Sequence, residues 1–222
     1  MANYMIHACL DRMWYVEKYL LPSMYEQGIK AKNVIVYVDT NHDGCLISHV
    51  KSFQKASEMH IDGMWHLQDD VILCRDFKER TEKYDNGVIC GFSSYYDERK
   101  HWASGESNGL KMWYSFPCIR IPTPLIKEYI DWFNIYVWRD HQYDRWTKAN
   151  KYDDTIWRIY MEQYHPQMPV LNLAPNLVDH VDFLLGGSQI NPNRKIEQVR
   201  STSFQDKDLI KELEGRIKND IH

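Results

Sequence analysis

The stretch that decides the fold is Met64-Trp65-His66-Leu67-Gln68-Asp69-Asp70-Val71-Ile72-Leu73, in which two adjacent carboxylates stand between apolar, strand-like segments. Burying a carboxylate without a partner costs several kcal/mol, so ionised groups rarely lie in such a place unless a partner holds them. A divalent cation is the partner that this pair indicates first.

The composition is that of a folded globular domain. Of the 222 residues, 44% are hydrophobic and 26% are charged, and the formal net charge is only −4. These values argue against a disordered chain and against a surface that coats nucleic acid uniformly. Any contact with nucleic acid would therefore have to be a local patch.

The sequence predicts a cytoplasmic protein without a membrane segment. Its apolar runs are too short to cross a bilayer, and its first residues lack the basic-then-apolar order of a signal peptide. The five cysteines are an odd number without a CxxC pair, which argues against a disulfide framework and against a zinc site. We expect them to be small buried hydrophobic residues.

The first third of the chain has an alternating pattern. Strand-like segments at 4–9 and 33–38 and the one that leads into Asp69 are separated by segments with helical periodicity at 13–27 and 46–57. This β-α-β-α-β order predicts an α/β fold with a mostly parallel central sheet flanked by helices.

In sheets of this kind, ligands bind beyond the carboxyl ends of the strands. The Cys9–Arg12 segment, Asp39 and the Asp69-Asp70 pair all fall at such ends. We therefore expect three strand ends to face one crevice.

The rest of the chain continues the pattern with longer, more aromatic segments. The residues between Ser93 and Gly109 are rich in serine, glycine and charge, which predicts a mobile loop over the site.

The polar tail from Asn193 onward contains a helical pattern whose charges indicate a solvated or partner-facing element. The predicted strands lie at 86–92, 112–121 and 168–173, and the predicted helices at 123–138, 154–164 and 206–218.

The segment Gln68-Asp69-Asp70-Val71 resembles the acidic motif of nucleotide-sugar glycosyltransferases with the GT-A fold, which stands after a hydrophobic strand as DxD or, in some families, EDD. Gln68 takes the place of the first acid of an EDD motif. The resemblance implies that Asp70 is the principal ligand of Mn²⁺ or Mg²⁺ and that Asp69 contacts the metal or the ribose. The resemblance extends to the small transferases that phages encode, which act on a hydroxymethylated pyrimidine in DNA.

The same resemblance implies a single, Rossmann-like GT-A domain over residues 1–192. Residues 1–92 would form the nucleotide-sugar-binding half, residues 93–192 the acceptor and catalytic half, and residues 193–222 a C-terminal helical extension. Two generic matches fall in the first half: Asp39 lies where GT-A folds place a carboxylate near the base or ribose, and Arg12 lies where a loop meets the nucleotide.

A second match is Tyr152-Asp153-Asp154-Thr155-Ile156-Trp157, which resembles the acidic motif that opens a late helix in inverting GT-A enzymes. One carboxylate there is the general base that deprotonates the acceptor hydroxyl. A helix N-terminus favours the ionised form of such a base. Asp154 is our candidate base, whereas Asp153 is as well explained by capping the helix; if Asp154 also only caps it, a retaining mechanism stays open.

A third match is Pro175-Asn176-Leu177-Val178-Asp179-His180-Val181-Asp182, similar to a Pro-x-Leu-Val-x-His segment near the end of several GT-A families. The histidine there often completes the metal or diphosphate site, and imidazole is a suitable ligand for manganese. The resemblance therefore implies a metal set of Asp70, Asp69 and His180.

Together these matches imply transfer of a sugar from a nucleotide diphosphate, with UDP-sugars the commonest donors in the family, to an acceptor hydroxyl with inversion. The run from Trp138 to Tyr152 interleaves basic and aromatic residues, a mixture that suits phosphates and a displaced base. A hydroxymethylated pyrimidine in DNA is thus one candidate acceptor, and a glycan is the other.

Two hypotheses from other classes use the same residues. A metal-dependent phosphohydrolase also employs paired aspartates, although the sequence has no His-x-His motif or dispersed ligand set for a second metal. A non-catalytic nucleotide-sugar-binding module would keep the crevice without the base.

Overall fold

The computed structural model describes residues 2–59, 62–93, 107–108, 116–147, 153–187, 200–201 and 203–220. Within them the strands are β1 (Tyr4–Cys9), β2 (Val34–Asp39), β3 (Gly63–Gln68), β4 (Val71–Leu73), β5 (Val88–Cys90), β6 (Ser107–Asn108), β7 (Cys118–Pro122), β8 (Val170–Asn172) and β9 (Val178–His180).

The helices follow the strands along the chain. The first, α1, is built of Met13–Tyr15, a π-helical stretch Val16–Leu20, and Leu21–Glu26. The others are α2 (Cys45–Ser57), α3 (Phe77–Lys83), α4 (Thr123–Trp132, continued by the π-helical Phe133–Arg139), α5 (Asp144–Thr147), α6 (Asp153–Tyr164) and α7 (Lys207–Asp220).

The described residues form a central seven-stranded sheet in the order β2-β1-β3-β7-β5-β8-β6. Strands β2, β1, β3, β5 and β8 run in one direction, because β7 is antiparallel to both β3 and β5 and β6 is antiparallel to β8. The expectation of an α/β fold with a mostly parallel central sheet is therefore confirmed.

Helices cover both faces of this sheet, as the alternation of side chains along β1 requires. Tyr4 and Ile6 pack with buried residues of α1 and α7, whereas Met5 packs with Ala56 of α2. Burial on both faces is why β1 reads as a continuous apolar run.

The predicted elements of the first third are confirmed with small shifts of their ends. The β-α-β-α-β order is present, β1 has the predicted bounds, and the helix expected from residue 46 begins at Cys45. The predicted strand at 112–121 is observed only as β7, while residues 112–115 lie outside the described residues.

Two expectations for the second half need correction. Ser107 and Asn108, which we expected in a loop, pair with β8, while 94–106 and 109 lie outside the described residues. The C-terminal helix α7 is not wholly solvated, because Ile210, Leu213 and Ile217 on one of its faces are buried in the core. Its apolar stripe thus packs on the domain itself.

The aromatic residues of α4 and α6 form a core rather than a ligand surface. Tyr129 and Trp157 are fully buried, with ring centroids 4.9 Å apart, and Trp132 and Tyr160 extend the cluster. Packing explains these side chains, whereas Trp138 and Tyr164 are 60% and 51% exposed. Among the described residues, no helix combines the length and apolar character that crossing a bilayer needs.

Candidate active site at the carboxyl edge of the sheet

The three parallel strands β2, β1 and β3 bring their carboxyl ends to one edge of the sheet. In the register of these strands Cys9 lies beside Asp39, and His7 lies beside Gln68. The Cys9 amide donates a hydrogen bond to Asp69 Oδ2 across 2.7 Å. This bond ties the acidic pair to the neighbouring strand end, as parallel pairing predicts.

A second, two-stranded sheet brings His180 to the acidic pair. The chain turns at Asp69-Asp70 and continues as β4, which is antiparallel to β9 with Val71 opposite His180. The Val181 amide also donates to the Asp70 carbonyl oxygen across 2.8 Å. Residues more than a hundred positions apart are therefore fixed side by side by backbone hydrogen bonds.

Asp70 and His180 face each other in this arrangement. His180 Nε2 lies 3.5 Å from Asp70 Oδ1, and His180 Nδ1 lies 3.3 Å from Asp182 Oδ1. All three side chains are buried. Within the described part of the chain, Asp70 Oδ1 accepts no hydrogen bond. The structure thus leaves one carboxylate oxygen beside an imidazole nitrogen, while Asp182 contacts the other side of the ring.

Arg12 neutralises part of the charge on the acidic pair. One guanidinium nitrogen donates to Asp69 Oδ1 across 3.2 Å and also to Asp70 Oδ2. Although burial disfavours its charge, the carboxylates of Asp70 and Asp69 raise the pKa of Arg12. Burial and the charge of Asp70 raise the pKa of Asp69, against the opposing effects of Arg12 and the Cys9 amide. Both oxygens of Asp69 therefore have protein partners.

The two carboxylates that open α6 lie close to the same crevice. Asp153 is buried, and its Oδ2 lies 3.9 Å from His49 Nδ1 of α2, whereas Asp154 is half-buried. Burial, followed by the carboxylates of Asp153, Asp154 and Asp70, raises the pKa of the Cys45 thiol well above its usual value. The first residue of α2 is thus within electrostatic reach of both candidate catalytic carboxylates and of the candidate metal ligand.

Asp39 also lies in this region, with one oxygen engaged by the turn that follows β2. Its Oδ1 accepts a hydrogen bond from the Asp43 amide across 3.1 Å. Burial lowers the pKa of His7 to about 4, and the negative charges of Asp39 and Asp70 act against this shift. Asp39 and Asp70 therefore both act electrostatically on His7.

A group of three histidines, of which His49 and His66 are buried and His7 is half-buried, was not predicted from the sequence. The ring centroids of His7 and His49 are 5.6 Å apart and those of His49 and His66 are 6.3 Å apart. His7 Nε2 lies 2.6 Å from Ser48 Oγ, whereas the ring nitrogens of His49 and His66 form no hydrogen bond within the described residues. Their signal in the sequence is weak, because each is a lone histidine in an apolar segment.

The donor set suits a divalent cation in part. Within the described residues no cluster of three or more His, Cys, Asp or Glu side chains is arranged to hold a metal ion. Asp70 Oδ1 and His180 Nε2 nevertheless offer one hard oxygen and one imidazole nitrogen, a pair that fits manganese when phosphate oxygens and water complete its coordination. Asp69, which we expect to contact the metal or the ribose, accepts hydrogen bonds from Arg12 and from the Cys9 amide.

Comparison with known proteins gives little further information. No family model and no curated protein matches the chain. Among solved structures, the chain is similar to one described as the crystal structure of A197 from STIV, with 16% sequence identity, a TM-score of 0.40, and coverage of 81% of this chain and 84% of that one. Similarity at this level does not carry a function from one protein to the other.

Proposed function

We propose that the chain is a metal-dependent glycosyltransferase that moves a sugar from a nucleotide diphosphate to an acceptor hydroxyl. The observation that carries the proposal is the pairing of Asp70 Oδ1 with His180 Nε2 at 3.5 Å, at the carboxyl edge of a mostly parallel sheet. This edge is where open α/β sheets bind their ligands. The resemblance of the surrounding motifs to GT-A enzymes supports the same reading.

Asp70 and His180 would hold the cation. A bound divalent ion would supply positive charge to the departing diphosphate. The protein's part is to fix these two ligands, which it does through the ladder between β4 and β9 and through the contact of Asp182 with the His180 ring. Such support of a metal-binding imidazole by a carboxylate raises its basicity and fixes its orientation.

Asp154 is the proposed general base, which takes the proton from the acceptor hydroxyl as that oxygen attacks the anomeric carbon. Two observations support it over Asp153: it is more exposed, and Asp153 is directed towards His49. Both carboxylates lie in the first turn of α6, where the helix dipole stabilises their ionised form. Displacement by a hydroxyl from the face opposite the diphosphate would invert the anomeric centre.

The donor and the acceptor are proposed by class. UDP-sugars are the first donors to test, and a glycan or a hydroxymethylated pyrimidine in DNA are the two acceptors. In the described part of the Trp138–Tyr152 run, Trp138 is exposed, and Arg139 is paired with Asp140 across 2.7 Å; residues 148–152 lie outside the described residues. A salt titration separates the acceptors, because an affinity for duplex DNA that does not fall with ionic strength would exclude phosphate contacts.

The test of the proposed function is release of UDP from a panel of UDP-sugars in the presence of Mn²⁺. We expect Asp70→Asn to abolish release and Asp154→Asn to lower its rate at least about a hundredfold, the usual contribution of a general base. Asp131→Asn, which changes an exposed aspartate on α4, is the matched control and should behave like the wild type. Full transfer by Asp154→Asn would reject the assigned base. Phosphate release without sugar transfer would favour a phosphohydrolase, and binding without turnover a non-catalytic module.

A further inference from the structure

Arg12 is held at three points inside the candidate active site. Its guanidinium donates to Asp69 Oδ1 across 3.2 Å, to Asp70 Oδ2, and to the Gly187 carbonyl oxygen across 2.9 Å. The residue is only 6% exposed. Gly186 and Gly187 form a turn in which both have positive φ, +93° and +89°, a conformation that favours glycine. Arg12 therefore joins the acidic pair to the turn that follows β9.

The charges of this group do not balance. The buried group contains three carboxylates, of Asp69, Asp70 and Asp182, and Arg12 is its one guanidinium; the imidazole of His180 between Asp70 and Asp182 adds positive charge only when it is protonated. Arg12 engages Oδ2 of Asp70 and leaves Oδ1, which faces His180 and accepts no hydrogen bond within the described residues. Since an uncompensated buried charge is costly, the oxygen that Arg12 does not use is the natural place for a second cation.

We propose that Arg12 is a built-in counter-cation that shares Asp70 with the divalent ion and makes binding of that ion depend on the nucleotide diphosphate. This inference rests on the proposed function, which places the ion between Asp70 and His180. The guanidinium repels a free ion that approaches the shared carboxylate. When the ion arrives with a diphosphate, the same guanidinium gains an anionic partner, so the repulsion is offset. Arg12 is thus a positioning residue that selects the metal–diphosphate complex over the metal alone.

The consequence is a pair of effects with opposite signs. Removing the positive charge should strengthen binding of free Mn²⁺, because the Asp70 carboxylate then acts on the ion without an opposing cation. It should weaken binding of UDP in the presence of Mn²⁺, because the diphosphate loses a cationic neighbour. A coupling free energy of the usual size between two bound groups changes each affinity by about tenfold. A residue that only supported the fold would not move the two affinities in opposite directions.

The experiment compares the full-length wild type with Arg12→Met and Arg12→Lys. Mn²⁺ affinity is measured by the electron paramagnetic resonance signal of the free ion, and UDP affinity at saturating Mn²⁺ by calorimetry. We expect Arg12→Met to bind Mn²⁺ about tenfold more tightly and UDP about tenfold more weakly than the wild type. Arg12→Lys, which keeps the charge and loses the planar fork, should keep Mn²⁺ affinity within about threefold of the wild type.

Suppose that the wild type binds Mn²⁺ and that Asp70→Asn abolishes this binding. If Arg12→Met then binds Mn²⁺ no more tightly than the wild type, the role of Arg12 is overturned and the proposed metal site stays intact. If neither the wild type nor Arg12→Met binds Mn²⁺, or if Asp70→Asn leaves the Mn²⁺ affinity of the wild type unchanged, the proposed metal site itself is overturned. If Arg12→Met unfolds without ion, circular dichroism provides the test: Mn²⁺ should restore a cooperative thermal transition. Failure of the ion to restore it would also reject the counter-cation.

Discussion

At the scale of single residues, the neighbouring aspartates Asp69 and Asp70 have different surroundings and therefore different expected roles. Asp69 accepts hydrogen bonds from the Cys9 amide and from Arg12, so it holds the strand ends and the guanidinium in place. Asp70 gives one oxygen to Arg12 and directs the other at His180. We therefore expect Asp69 to be structural and Asp70 to bind the cation.

This division predicts distinct phenotypes for two conservative substitutions. Asp70→Asn should lower Mn²⁺ affinity by at least about tenfold, whereas Asp69→Asn should lower it by less than about threefold. Asp69→Asn should instead destabilise the fold by about 1–3 kcal/mol, the usual cost of impairing a buried charged hydrogen bond. Mn²⁺ titration and urea unfolding of both variants provide the measurements. Loss of Mn²⁺ binding in Asp69→Asn, at unchanged stability, would contradict the division.

Strand-end placement alone indicated the acidic pair, and only the resemblance to GT-A enzymes favoured Asp70 over Asp69 as the metal ligand. Strand-end placement points to both carboxylates equally, because each follows the apolar run of β3 by one or two residues. Which oxygen meets Arg12 depends on the helical turn Leu10–Arg12 after β1, and the position of Gly187 is set by a turn far along the chain. Such contacts between distant segments leave no local pattern in the sequence.

At the scale of elements, the ladder between β4 and β9 places His180, and Asp179 fastens that ladder to the later chain. The Asp179 carboxylate is fully buried and accepts hydrogen bonds from the His180 amide across 2.9 Å and from the Ser201 amide across 3.0 Å. Arg200 lies 3.3 Å away from it. Burial raises the pKa of Asp179, while the Ser201 amide and Arg200 oppose that effect.

Asp179→Ala should therefore weaken both the fold and the site. Leaving two amides and a guanidinium without their acceptor should cost about 3–5 kcal/mol, as for other broken buried ion pairs, and Mn²⁺ affinity should fall because His180 loses its support. Arg200→Gln is the milder comparison, since the Arg200 side chain is 32% exposed and the amide bonds to Asp179 stay. Chemical unfolding measures the first effect and Mn²⁺ titration the second. Equal effects of the two substitutions would contradict this role for Asp179.

The sequence predicted the elements that carry the site better than their pairing. The strands at 4–9 and 33–38 and the helix of residues 46–57 were recognisable from long, regular patterns. Strands β4 and β9 have three residues each, too few for a periodicity, and only the resemblance of the Pro175–Asp182 segment pointed to His180. The antiparallel direction of β7 was also unpredicted, because direction is set by pairing with β3 and β5 rather than by the strand itself.

At the scale of the whole molecule, the buried His66 and the half-buried His7 make stability depend on pH. Burial lowers the pKa of His7 to about 4 and that of His66 to about 3, from the ordinary value of 6.5. At a pH between the lowered pKa values of the folded protein and 6.5, these histidines bind protons in the unfolded chain but not in the folded protein. The stabilising contribution is therefore complete above pH 6.5 and is lost progressively as the pH falls towards 3–4.

We expect each of these histidines to cost about 2 kcal/mol of stability between pH 7 and pH 5. Urea unfolding at the two pH values measures the loss. His66→Leu should make the loss smaller by about that amount, because the leucine does not titrate. The control is His42→Gln, which changes an exposed histidine and should leave the pH dependence as in the wild type. An unchanged loss in His66→Leu would show that His66 is not the buried neutral group described above.

The most direct test of the central claim is a crystal structure with Mn²⁺ and UDP bound, in which anomalous scattering locates the ion. The account predicts one Mn²⁺ within coordination distance of Asp70 Oδ1 and His180 Nε2, with the diphosphate completing its coordination and Arg12 still in contact with Asp69. An ion bound elsewhere, or UDP bound at this edge of the sheet with no ion between Asp70 and His180, would contradict it.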